Sequence, residues 1–275
     1  MTNTKKTKFA LIGLGFVSMR HKQAIEQNNG ELFLTCDIDP TKNADFTDWV
    51  EMLHSEKFKE VDVVSVCVPN YLHSTIIREA TLMGKRVLSE KPLTIFDDVE
   101  ENEDLDVVMQ LRCNPKVKEL KANDFHGDIE ISVKTYREDK YWNSWKGQTT
   151  KSGGLLYNMG VHYIDLLTHL LGEPIDIISS KYNGKNLASG EVLFEKGRGR
   201  YHIEITSEPI EVVRKIKING EEMDLEGATI PLSDTGQVIN LHTEVYKKFL
   251  SGERVGVEEA RKSIKLIEQL YANAV

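Results

Sequence analysis

The sequence predicts an α/β protein in two parts: a doubly wound parallel sheet over residues 1–123, then an α+β domain over residues 124–275 built on a largely antiparallel open sheet. Three observations carry this. Through roughly the first 120 residues, compact apolar runs alternate with segments of helical period. The later runs alternate apolar and polar side chains, as strands with one solvated face do. A chain of 275 residues also holds about two average domains.

In chain order, residues 8–14 (KFALIGL) form an apolar run ending in glycines, followed by helical character over 16–27 and a second strand at 31–36 (ELFLTC). A short amphipathic helix is expected at 46–56. Residues 61–68 (VDVVSVCV) are Val-rich and end at Pro69, as a buried parallel strand does. Residues 72–83 place Leu72, Ile76, Ala80 and Met83 on one helical face and stop at Gly84. Strands follow at 86–89 and 106–111. Between them, residues 93–104 are barely long enough for a parallel crossover, so one sheet face is expected to be bare or covered by another subunit. The acidic stretch 97–106 reads as a solvated turn.

Alternating strands are expected at 128–136, 191–195, 201–206 and 212–218, with Asn219-Gly220 turning the last into 221–225. A long helix covers 154–171, and two more, 238–250 and 257–271, close the chain.

The net charge of −8 argues against nucleic acid or an anionic membrane as the main partner. No apolar run reaches the roughly 18 residues of a membrane span, and the polar N-terminus has no signal-peptide core. Cys36, Cys67 and Cys113 are an odd, dispersed set, neither a disulfide framework nor a zinc cage, and the cytoplasm is expected.

Gly13-Leu14-Gly15-Phe16-Val17-Ser18 falls at the first strand-to-helix turn. Gly13 permits the tight turn, and Gly15 lets a pyrophosphate approach the backbone and the helix N-terminus. Ser18 stands where the fingerprint has Gly or Ala, so the match to it is imperfect. Asp37 ends the second strand, where an acid bonds a ribose hydroxyl pair and repels a 2′-phosphate, which favours NAD over NADP. A turn-forming aspartate is the plainer alternative. Lys91, in Glu90-Lys91-Pro92, ends a strand at the edge where α/β proteins bind ligands. Burial and a cationic nicotinamide both depress a lysine's pKa, making a proton shuttle; a surface lysine is the alternative.

The helix over 155–171 contains no Lys, Arg or Glu. Asn158, His162, Asp165 and His169 form one stripe of short polar groups, expected to face a polar interior or a cleft. His162 is then a candidate general acid or base. A buried hydrogen-bond network and a metal site at His162, Asp165 and His169 stay open. In residues 141–147 (YWNSWKG), Lys146 is a candidate phosphate contact beside two tryptophans, or the aromatics simply pack.

Taken together, these segments resemble the Gfo/Idh/MocA family of NAD(P)-dependent sugar oxidoreductases over nearly the whole chain. The resemblance rests on Gly13-Leu14-Gly15, Asp37, Pro69-Asn70-Tyr71-Leu72-His73, Glu90-Lys91-Pro92 and the run from Gly153-Gly154 through Asn158 and His162 to Asp165. It implies a Rossmann domain followed by a substrate-binding and oligomerisation domain. It also implies catalytic Lys91 and His162, and an NAD site at Gly13, Gly15, Phe16, Val17, Asp37, Pro69, Asn70, His73, Glu90 and Lys91. Substrate would be bound by Lys91, Arg112, Lys146, Asn158 and His162, with no metal. Asn158, residues 110–112 (QLR), 144–147 (SWKG) and 241–243 (LHT) look like the branch that oxidises the 3-hydroxyl of UDP-N-acetylglucosaminuronate for surface-polysaccharide synthesis. That likeness implies a nucleotide-sugar substrate and a homo-oligomer, dimer or tetramer.

Overall fold

A computed structural model describes residues 5–96, 99–223 and 240–275. Three expected segments run partly outside these: residues 97–98 of the acidic stretch, 224–225 of the last strand and 238–239 of the helix from 238. The described residues form two compact units.

The first unit holds β1 (Lys8–Ile12), α1 (Ser18–Gln27), β2 (Glu31–Cys36), α2 (Trp49–Leu53), β3 (Val63–Val66), α3 (His73–Leu82), β4 (Arg86–Ser89) and β5 (Leu105–Val107). All five strands are parallel, in the order β2-β1-β3-β4-β5. β3 is buried at every position, because helices cover both faces of such a sheet. Because the strands are parallel, their carboxyl ends share one edge, and the reversal of strand order between β1 and β3 opens the crevice there in which open α/β sheets bind ligands.

The second unit contains α4 (Pro115–Ala122), β6 (Gly127–Tyr136), the short helices α5 (Asp139–Trp142) and α6 (Thr149–Ser152), α7 (Val161–Leu171), β7 (Pro174–Tyr182), β8 (Leu187–Phe194), β9 (Gly197–Thr206), β10 (Val213–Ile218) and β11 (Glu221–Met223). Its six-stranded sheet runs β11-β10-β6-β9-β8-β7, antiparallel except for β6 beside β9. In β6 and β9 every second residue is buried, and α7 packs on that face.

Several elements differ from the sequence reading. The last two helices are α8 (Leu241–Ser251) and α9 (Val257–Ala272), and α8 belongs to the first unit. It lies beside α1: Asn28 Nδ2 donates to the Thr243 carbonyl, and the Thr243 hydroxyl to Gln27 Oε1. Tyr246 of α8 packs on Phe9 of β1, and Arg86 of β4 stacks on Phe249. Residues 109–123 join the second unit, with α4 unexpected. β7 was also unanticipated; as an edge strand it lacks regular alternation. The expected strand at 106–111 shortens to β5 and a 3₁₀ turn, Gln110–Cys113. No helix occurs among the described residues between β4 and β5. No helix in the described residues is long and apolar enough to cross a membrane.

The expected helix over 154–171 is interrupted. A π-helical turn, Leu156–Gly160, precedes α7. Gly153 and Gly154, at φ +78° and +85°, cannot start a helix with a side-chain cap. The Leu156 N–H instead donates to the Tyr271 hydroxyl of α9, at 2.7 Å. This tyrosine acts as a cap supplied from across the unit.

Candidate active site

At the end of β1 the chain turns through Gly13, whose φ is +93°. A Cβ there would collide with the Cys67 carbonyl at the end of β3, so only glycine fits. Gly15 differs: a Cβ there would meet nothing within 4 Å. The turn therefore presents an open, side-chain-free approach just before α1, which suits a pyrophosphate. Phe16 is 88% exposed and Val17 half-buried, directly after it. Asp37 tethers the turn, its carboxylate accepting from the N–H of Leu14 (2.6 Å) and of Asp39 (2.8 Å). Each oxygen keeps a lone pair for a ribose hydroxyl. These residues fit a dinucleotide.

Further along the edge, Pro69 leads into a 3₁₀ turn, Asn70–Leu72, with Asn70 buried. Two side chains expected at the cofactor are engaged inside the protein instead. His73 is fully buried, its Nδ1 2.7 Å from the Pro92 carbonyl and its Nε2 3.0 Å from that of Val68. Burial lowers its pKa against the pull of those carbonyls. The ring ties the end of β3 to the Lys91-Pro92 segment.

Glu90 is likewise enclosed. Its Oε1 faces His21 Nε2 of α1 at 3.0 Å and His242 Nε2 of α8 at 3.1 Å. Burial pushes its carboxyl up, but the two imidazoles outweigh that and hold it well below the usual carboxylate range. The Tyr246 hydroxyl lies 2.8 Å from His21 Nδ1 and 2.7 Å from the Ser65 hydroxyl. The ligating atoms of His21, Glu90 and His242 all lie within 4.8 Å, a spacing compatible with a metal ion; hydrogen bonding already accounts for the 3.0 and 3.1 Å separations.

In the second unit the polar stripe disperses among different partners. Asn158 Nδ2 donates to the Tyr141 hydroxyl at 2.8 Å. His162 is half-buried, its Nε2 3.3 Å from the Gln110 amide nitrogen. Asp165 is buried and grips Arg112: Nε and Nη2 donate to its two oxygens at 3.0 and 2.7 Å. Arg112 Nη1 reaches Glu259 at 3.2 Å. Arg112 was expected to bind an anionic part of the substrate. Its fork is instead closed on Asp165, because a buried carboxylate demands a partner.

The aromatic–basic segment forms a cationic cluster on rings. Lys146 Nζ lies 6.0 and 5.8 Å from the ring centroids of Tyr141 and Trp145. The Arg137 guanidinium carbon lies 5.7 Å from the Tyr141 ring centroid, and Lys185 Nζ sits over Trp142 at 5.1 Å. Desolvation by these neighbours, then the Arg137 charge, pushes the Lys146 pKa down. Sequence reasoning gave no role to Gln110, Tyr141, Tyr271, His21 or His242. Tyr141, Gln110 and His242 lay in segments it had singled out; Tyr271 and His21 did not.

A five-stranded parallel sheet with a glycine turn, an acid closing its second strand and a second α/β unit defines a dinucleotide-dependent oxidoreductase architecture. Comparison with known proteins makes this specific. Residues 7–111 match the oxidoreductase family's NAD-binding Rossmann fold, and residues 127–193 match its C-terminal alpha/beta domain. The chain belongs to the Gfo/Idh/MocA oxidoreductase family.

Among solved structures, it is similar to the WlbA (WbpB) dehydrogenase of Thermus thermophilus in complex with NAD and alpha-ketoglutarate: 30% identity, TM-score 0.78, covering 94% of this chain and 92% of that one. The same enzyme with NAD and UDP-GlcNAcA superposes with TM-score 0.77 at 29% identity, covering 94% and 92%. Among curated relatives, the uncharacterized oxidoreductase YrbE of Bacillus subtilis is 23% identical over 65% of this chain and 58% of its own length. The 2,7-anhydro-N-acetylneuraminate hydratase of Escherichia coli is 26% identical over 66% of this chain and 53% of its own. The chain thus spans little more than half the length of these two curated relatives.

Proposed function

We propose that this protein uses NAD to oxidise the 3-hydroxyl of a UDP-N-acetyl-2-amino-2-deoxyglucuronate-type nucleotide sugar to the 3-keto sugar, in surface-polysaccharide synthesis. It works in the cytoplasm as a dimer or tetramer. The similarity to a WlbA dehydrogenase bound to NAD and UDP-GlcNAcA, running over 94% of the chain, carries this reading. It is supported by Lys91 and His162 standing where the family's motifs have their catalytic pair.

When bound, NAD supplies the hydride acceptor. Gly15, with open space where a Cβ would stand, lets the pyrophosphate approach the backbone just before α1, while the Gly13 N–H is spent on the Cys36 carbonyl; Asp37 would hold the adenosine ribose, and Pro69 and Asn70 line the same edge. As the C3–H bond breaks and its electron pair leaves as hydride, His162 takes the proton of the 3-hydroxyl and the C=O bond forms. Lys91 stabilises the alkoxide that develops on that oxygen. Asn158, steadied by Tyr141, orients the hydroxyl, and Lys146 meets the anionic diphosphate.

The test is a substrate panel followed at the NADH absorbance band: UDP-GlcNAcA, other UDP-sugars, free sugars and inositol. NADH formation with UDP-GlcNAcA alone is expected. Because the similar Thermus enzyme was crystallised with alpha-ketoglutarate, a parallel arm adds this oxo acid and assays 2-hydroxyglutarate, the product if NADH is recycled in place. Lys91→Ala should abolish turnover and leave NAD affinity nearly intact. Lost NAD affinity with normal residual turnover contradicts the role given to Lys91.

A further inference from the structure

The enclosed carboxylate of Glu90 is bonded at both oxygens. Oε1 takes the Nε2–H groups of His21 and His242, and Oε2 accepts the backbone N–H of the next residue, Lys91, at 3.3 Å. Among the described residues, the buried His242 Nδ1 has no hydrogen-bond partner. The Nε2–H toward Glu90 is therefore that ring's one polar use, and burial keeps the ring neutral by lowering its pKa. On His21, Nε2 faces the carboxylate, which can only accept, so the ring carries its proton on Nε2; Nδ1 lies 2.8 Å from the Tyr246 hydroxyl, itself 2.7 Å from that of Ser65. Two imidazoles, from helices at opposite ends of the chain, thus converge on one oxygen of a carboxylate whose other oxygen holds the lysine's own peptide.

We propose that His21 and His242 are positioning residues for Lys91: through Glu90 they lock the peptide from which the lysine extends. The inference rests on the role given above to Lys91. It deepens that role by naming the groups that hold the lysine's backbone in place.

Three variants test it. His242→Leu removes the donor. His242→Gln returns an amide N–H at the reach of Nε2 and lacks only the unused Nδ1. Glu90→Gln leaves an oxygen for the imidazoles but turns an NH₂ against the Lys91 N–H. The readouts are kcat and KM for UDP-GlcNAcA, NAD affinity, and hydrogen exchange of the Lys91 amide by NMR in the cofactor-free protein.

For His242→Leu and Glu90→Gln, kcat should fall on the order of tenfold to a hundredfold, with KM and NAD affinity within about twofold. Lys91 amide exchange should quicken about tenfold. His242→Gln should restore both to within about threefold of wild type. Full kcat with unchanged exchange in both the His242→Leu and Glu90→Gln proteins overturns the proposal, as does His242→Gln behaving like His242→Leu. If His242→Leu does not fold, Glu90→Gln decides alone. If the wild type oxidises no nucleotide sugar, the substrate reading fails, and amide exchange still decides whether the relay holds the lysine's peptide.

Discussion

Replacing Arg112 with methionine separates a structural guanidinium from a substrate-binding one. Asp165 is 2% exposed and Arg112 10%, and two hydrogen bonds of 2.7 and 3.0 Å join them. Methionine keeps much of the arginine's volume but leaves the Asp165 carboxylate buried without its partner. Breaking a buried pair from one side costs about 3–5 kcal/mol. That is a large share of a typical total of about 5–15 kcal/mol. The third contact, to the 47%-exposed Glu259, contributes under about 1 kcal/mol, so Glu259→Gln should be nearly silent.

Guanidinium denaturation followed by tryptophan fluorescence measures these costs, because Trp142 and Trp145 report on the unit that holds the pair. The double variant Arg112→Met/Asp165→Leu should regain most of the loss, since replacing both charges with apolar groups is often neutral. Arg112→Met protein within about 1 kcal/mol of wild type, but with KM for the nucleotide sugar raised tenfold or more, would show the guanidinium working on substrate and refute the argument.

Four further outcomes are expected. Gly13→Ala should lose on the order of 1–3 kcal/mol of stability, from its positive φ and the collision with the Cys67 carbonyl. Gly15→Ala, in open space, should leave the melting temperature unchanged while weakening NAD binding; equal melting losses would mean the turn is purely structural. Asp106 has both oxygens buried without a well-formed hydrogen bond, and burial, opposed by Arg254 and Arg86, pushes its carboxyl from 3.8 up to about 6. A raised folded-state value means stability is lost as pH rises from about 4 through 6, so Asp106→Asn should gain about 2 kcal/mol over wild type at pH 8, after allowing for screening, and almost nothing near pH 4. A gain independent of pH, in urea titrations at the two values, refutes it. Tyr271→Phe removes the acceptor of the Leu156 N–H and should cost about 1–3 kcal/mol, read from the melting transition.

Local pattern determined much of this protein. Val-rich runs marked the parallel strands, β2 and β4 fell at their expected bounds, and the alternation in β6 and β9 announced a sheet with one covered face. The turn at Gly13 was legible because a positive φ and a close backbone approach are demands made on a single residue. Burial and pairing partners were not legible, because each is set by segments distant in sequence. The 158–169 stripe announced polar groups facing inward, but only the folded chain assigned Asp165 to Arg112, Asn158 to Tyr141 and His162 to Gln110. Glu90 and His73 stood in a motif that pointed toward the cofactor, yet burial turned both side chains inward. The place of α8 beside α1, and the meeting of His21 and His242 on one carboxylate, were decided by tertiary structure alone. Periodicity states which face of an element is apolar; which distant element covers it depends on the packing of the whole chain.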